Sequence, residues 1–223
     1  MPAPALDAAT PARTGSPRLV STVALAATGP LAIGAIRAVL PYDTVDDPAA
    51  AAERIQAAPA AASTVLWLIL LAVLTLPIGL AIACRLAMRV RRVFGTVAAV
   101  VAWVGFLSLF GALGIDYTAP AAASSGLPLD DLVALDAAMT AHPAASLAIG
   151  VFVLGHILGA VLLGIALWGV LPHWAAAGLI VSQPLHFVFV IVWPQHVLDA
   201  LAWSLTGAAF AAAALAAARL APR

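Results

Sequence analysis

The stretch STVLWLILLAVLTLPIGLAIAC, residues 63–84, contains no charged side chain and is closed by Arg85. A helix crossing about 30 Å of hydrocarbon needs roughly 20 apolar residues, and this run meets that requirement unaided. Working outward, comparable runs bounded by charge or proline lie near 19–40, 93–115, 144–171, 174–194 and 197–218. Charged residues make up 9% of the chain and hydrophobic ones 64%, with a mean hydropathy of +1.09. A soluble domain carries about a quarter charged residues, so the solvent for most of this chain is lipid. Lipid cannot satisfy backbone polar groups, and the alternation of a barrel strand is absent, so the spans are helices.

The expected fold class is therefore all-α: a polytopic transmembrane helical bundle of six spans. A single membrane domain covers 19–218, between a disordered tail at 1–18 and a short tail at 219–223. Arginine placement sets the orientation, since short loops rich in basic residues stay cytoplasmic. Arg13 and Arg18 precede the first run, Arg85, Arg89, Arg91 and Arg92 separate the second from the third, and Arg219 and Arg223 follow the sixth. Both termini are expected inside, in the plasma membrane. A cleaved signal peptide fits the first run poorly, because the run is long, carries Arg37 and lacks a small-x-small site before the polar loop. The expectation is an uncleaved span.

Two segments, 41–62 and 116–143, are too long for plain turns and predict two short external surface helices. Asp47-Pro48 reads as an N-cap and first-turn proline. Pro128 with Asp130 and Asp131 opens a second helix, whose Leu129, Leu132, Val133 and Met139 recur at helical spacing.

Net charge is zero, so no nucleic-acid footprint is expected. One cysteine, Cys84, excludes an internal disulfide and lacks the adjacent base a nucleophile needs. No GxSxG, HExxH, Walker or Rossmann pattern is present, and no catalytic residue is assigned. All ten basic residues are arginine, and alanine is abundant, which points to a GC-rich genome. AVLPY and GVLPH end the first and fourth runs, but the loops after them differ too much in length for an internal repeat.

Membrane helices associate where small residues let backbones approach. In the fourth run Ala148, Gly155, Gly159 and Ala166 form one stripe, so the Gly155/Gly159 face is expected to meet a neighbour, including a second copy or a complex partner. Pro30, Pro77 and Pro184 predict kinks.

Ionisable residues inside a span point to function, because each has a cost in lipid. The short LPHW turn at 171–174 makes the fourth and fifth spans antiparallel neighbours, and counting from it places His156 and His186 at nearly equal depth. Ser182, Gln183 and His186 share one side of the fifth helix at the Pro184 kink. His156, Ser182, Gln183 and His186 thus form the candidate intramembrane site, with three readings: a hydrogen-bonded cluster that sets helix register, a proton or solute relay in a transporter, or a haem-binding electron carrier with His156 and His186 as axial ligands. Those two histidines are the metal ligands if there is a metal. The last reading resembles the stacked histidines of membrane cytochromes b in spacing alone, over the fourth and fifth spans; there His142 reads as an N-cap and His173 as a turn residue. Arg37, His196 and Asp199 form an outer interfacial cluster, in which Asp199 either holds His196 or meets Arg37, and Trp193 and Trp203 act as interfacial anchors. The layout as a whole resembles small six-span integral membrane proteins of high-GC bacteria, a resemblance of architecture and composition that carries no functional residues across.

Overall fold

A computed structural model describes residues 16–109 and 114–220. The expected N-terminal tail lies almost wholly outside the described residues, as do Arg13 and Arg223. The chain is all-helical, with no β-strand among the described residues. Five helices are long and apolar enough to cross a membrane: α1 (Pro17–Val39), α3 (Pro59–Val90), α7 (Pro143–Ala166), the run from α8 (His173–Phe187) through a π-helical turn (Val188–Val192), and α9 (His196–Arg219). A sixth, α4 (Arg92–Leu107), is apolar but shorter, about 24 Å at 1.5 Å per residue. Three short helices complete the chain: α2 (Pro48–Ala57), α5 (Gly114–Ser125) and α6 (Leu129–Thr140).

Local chemistry explains most boundaries. Ser16 caps α1 by accepting from the Leu19 amide, Asp47 caps α2 by accepting from Ala50, and His142 caps α7 by accepting from Ala144, each just before a proline. Arg91, at φ −138° and ψ 80°, breaks the chain between α3 and α4. Several expected limits shift. The second run extends from 63–84 to Pro59–Val90, because its flanks are good helix formers and Pro59 is an acceptable first residue. The third helix stops at Leu107 rather than 115, and the loop expected from 116 holds α5, which was not foreseen. The turn between α7 and α8 is longer than LPHW: α7 ends at Ala166, and Gly169 turns the backbone at φ +86°, a conformation that favours glycine.

Each long helix packs on its chain neighbour, α1 on α3, α3 on α4, α4 on α7, α7 on α8 and α8 on α9. The ring closes where α9 returns to α1. At its centre lie Leu76, Leu80, Phe106, Leu163, Trp203 and Phe210, separated by buried alanines that let the helices approach. The outside is inverted relative to a soluble protein: Trp67, Leu74, Val93, Leu147, Leu154 and Val197 are each at least 63% exposed, as suits side chains facing lipid.

The glycine stripe of α7 is occupied within the chain. A Cβ on Gly155 would stand 2.6 Å from Gly105 Cα, and one on Gly159 would strike Ala102, so both glycines press against α4. That face is not free for a second copy, contrary to the expected oligomer contact, because the close approach it permits is already made by α4.

At one end α2, α5 and α6 pack on each other and on the start of α3 through Ala52, Ile55, Ala62, Ala119, Ala122 and Leu132, forming a cap. The acidic segments belong to this cap end. Arg85, Arg89, Arg91 and Arg92 lie at or beside the α3–α4 junction, at the far end of α3.

Candidate functional site

The site is assembled by the ring closure. Asp199 sits in the first turn of α9, where the helix dipole favours negative charge, and is fully buried. Arg37 comes from the last turn of α1, which reaches α9 because Gly34 lets its backbone approach Ala200. Arg37 Nε donates to Asp199 Oδ2 at 2.5 Å, and Arg37 Nη2 donates to Thr44 Oγ1 at 3.0 Å. Its side chain is 13% exposed and does not snorkel outward as its position near the helix end suggests. The buried carboxylate is the stronger attraction.

From the other side, His186 Nδ1 lies 2.5 Å from Asp199 Oδ1. Trp203 Nε1 lies 3.1 Å from the same Nδ1, and both cannot be hydrogen bonds to a neutral ring, since that nitrogen either donates or accepts. The Asp199 carboxylate, which also accepts from Arg37, is the stronger partner than an indole donor, so Nδ1 carries the proton and donates to Asp199. This assigns the other ring nitrogen, Nε2, as the free one; it has no hydrogen bond among the described residues.

His156 stands opposite on α7, its ring 5.5 Å centroid to centroid from that of His186, in edge contact, and 6.3 Å from the Trp203 ring in a near-parallel stack. Its Nδ1 bonds the carbonyl oxygen of Phe152 one turn earlier. A carbonyl only accepts, so Nδ1 holds the proton and Nε2 is a bare lone pair. Among the described residues that Nε2 is buried without a partner, an arrangement that costs about 1–3 kcal/mol if nothing occupies the space before it.

Ser182 and Gln183 are also fully buried, but they face α9 and not α7. Gln183 Nε2 donates to Thr206 Oγ1 at 2.7 Å, and Thr206 donates to Ser182 Oγ at 2.9 Å. They fasten the final hairpin beside the histidines. The seam is therefore shared by α1, α7, α8 and α9, wider than the pair of spans expected from the sequence. His196 is separated from Asp199: its Nε2 contacts Asp43 Oδ1 at 2.8 Å, and Asp43 with Asp46 also faces Arg54. Trp203, expected at the interface, is 1% exposed and lies in the core, whereas Trp193 is 58% exposed.

A cavity of about 240 Å³ runs along the two histidines and Trp203 to Arg37, Thr44, Tyr42 and Asp116 at the cap. Between these ends its walls are apolar, with Leu76, Phe152, Phe187 and Val190 among them. Among the described residues no group of three or more His, Cys, Asp or Glu is gathered as metal ligands. Two axial ligands need a flat macrocycle between them, whereas His156 and His186 touch directly edge to face, and this geometry leaves no slot for haem between the rings.

Tyr42 Oη donates to Asp116 Oδ1 at 2.9 Å at the cap end. Burial raises the Asp116 carboxyl above its ordinary value of 3.8, with the Tyr42 bond and Arg37 partly opposing, and burial together with Asp116 raises the Tyr42 phenol. An acid whose folded pKa is raised contributes stability below its unfolded pKa and loses it as pH rises through the folded value. Asp116→Asn keeps an acceptor for Tyr42 and removes the ionisation. The variant should therefore melt higher than wild type at pH 8 and lose that advantage at pH 3; a lower Tm at pH 8 would contradict the burial argument.

Tyr42, Thr44, Phe152 and Asp116 carry no sequence signal for this role, since they reach the site only through the cap and ring closure. The chain matches no protein-family model, and neither a curated protein nor a solved structure is similar to it.

Proposed function

We propose that the protein is a small transporter-like integral membrane protein that carries protons through His186 and His156, with Asp199 and Arg37 as the fixed charges beside them. The observation that carries this reading is the fully buried Asp199, shared at 2.5 Å by Arg37 and by His186 on a cavity wall. Ionisable groups are costly in lipid and are retained where charge must move. In the resting arrangement Arg37 and Asp199 cancel, His186 is neutral, and its Nε2 can take a proton from the cavity. The imidazolium so formed is held by Asp199, its Nε2 proton passes to the bare His156 Nε2 opposite, and release from His156 away from the side of uptake restores both neutral rings and completes a cycle.

The topology in this reading is six crossings of the plasma membrane with both termini cytoplasmic. Its support is that α4 returns from the arginine junction toward the cap where α5 packs, and that arginine-rich loops remain inside. The cap of α2, α5 and α6 is then external, with the acidic residues. The first helix is kept uncleaved, because it supplies Arg37.

The test uses purified protein in liposomes loaded with pyranine, with an imposed potassium gradient and valinomycin. Wild type is expected to acidify the lumen, and His186→Ala to lower the rate at least tenfold while eluting as wild type on size exclusion. Equal rates, or no proton flux from wild type, would replace this reading with a structural or accessory subunit.

A further inference from the structure

The chamber beside the relay contains a buried acceptor with nothing to accept from. His156 is 2% exposed, its Nδ1 proton is committed to the Phe152 carbonyl, and its Nε2 lone pair has no partner while the residue lines the 240 Å³ cavity. The polar groups at the cap end do not answer it. Arg37 is held by Asp199 and Thr44, and Tyr42 donates to Asp116. Around His156, Phe152 stacks at 4.3 Å between ring centroids, Phe106 meets it edge-on at 5.9 Å, and the one polar ring against it, His186 at 5.5 Å, offers a second free Nε2 acceptor and no donor from that nitrogen.

This combination is selective in three ways. A lone pair admits a hydrogen-bond donor and repels acceptors, so carboxylates, phosphates and carbonyl-only molecules are disfavoured. Apolar walls disfavour an ammonium or other strongly hydrated cation, since Asp199 beside the histidines already serves Arg37 and His186, and Asp116 at the cap end of the cavity already accepts from Tyr42. The size suits one ring, since a dry cavity of about 150 Å³ in another protein already holds benzene. The aromatic lining favours a ring offering its edge or face.

We propose that the cavity binds a small neutral phenol, its hydroxyl donating to His156 Nε2 and its substituted ring lying along Phe152 and Trp203. No bond is made or broken. This names the ligand of the chamber in which the proposed relay ends, and so rests on that reading. A phenol hydroxyl at Nε2 would stand beside His186, at the position where a proton enters or leaves.

Trp203 reports occupancy, because it lines the cavity while the other five tryptophans, Trp67, Trp103, Trp168, Trp174 and Trp193, are between 39% and 71% exposed. Replacing those five by Phe leaves Trp203 as the only indole, in the full chain in nanodiscs. 4-Bromophenol should quench its fluorescence saturably. 4-Bromoanisole, which has the same ring and heavy atom but no donor, should bind at least tenfold more weakly, a comparison that needs no mutation at the site. His156→Phe fills the same space without the acceptor and should weaken bromophenol to the level of bromoanisole. Quenching that rises linearly with lipid-phase concentration, or equal affinity for phenol and ether, would overturn the proposal and leave water as the partner of Nε2. The outcomes are separable from the relay: saturable phenol binding without proton flux keeps the site and removes the relay, and flux without phenol binding does the reverse.

Discussion

Asp199→Asn is expected to lower the unfolding free energy by about 3–5 kcal/mol, the range for breaking a buried ion pair by removing one partner. The substitution preserves shape almost completely, so the loss is electrical. Asp199 serves two donors, Arg37 Nε on one oxygen and His186 Nδ1 on the other. An asparagine amide has one accepting oxygen. Whichever donor takes it, the other faces an NH₂ group, donor against donor. If His186 keeps the oxygen, the Arg37 cation is left with Thr44 alone in a site where its side chain is 13% exposed. Partial escape of the long Arg37 side chain toward the cap end would place the loss at the lower end of the range. Proton flux should fall with it, because an imidazolium at His186 would have no carboxylate beside it. Denaturant unfolding of the detergent-solubilised protein measures the first effect, and a change within about 0.5 kcal/mol, typical of neutral surface substitutions, would show that Asp199 is not charged in the fold.

Gly155→Leu is expected to cost about 3 kcal/mol and to abolish the binding geometry as well, the upper part of the range for overpacking. The added Cβ would stand 2.6 Å from Gly105 Cα, and backbone cannot move aside as a flexible side chain can. Helix α7 would have to withdraw from α4, taking His156, the next residue, away from His186. Gly150→Ala is the matched control on the same helix. Nothing lies within 4 Å of its new Cβ, so stability should change little. A Gly155→Leu protein as stable as the control would mean that α4 and α7 are not in backbone contact.

How much of this was legible depends on the range of the interaction. The long apolar helices follow from hydrophobicity over windows of one helix length, and the caps at Ser16, Asp47 and His142 follow from residues within three positions of the amide they bind. The proximity of His156 and His186 was readable because a short connection forces α7 and α8 together and rise per residue then measures depth. The same arithmetic failed for Ser182 and Gln183. It locates residues along an axis and around it relative to one another, but says nothing about which neighbour that side of the helix meets, and here it meets Thr206 of α9. Trp203 misled for a related reason. Tryptophan prefers the interface in general, yet this one continues the face of Asp199 into the ring centre.

Within the limits of one chain, the sequence alone determined that the solvent is lipid, that the structure is helical, where the long helices run, and that histidines lie where ionisable groups are costly. These are consequences of composition and of contacts close along the chain. Only the tertiary structure decided that the first helix lies against the last and brings Arg37 to Asp199 across most of the sequence. The physical reason is that lipid gives no hydrophobic preference among helix partners: neighbours are chosen by backbone approach at residues such as Gly34 and Gly105, whose complementary surfaces exist only once the helices are side by side.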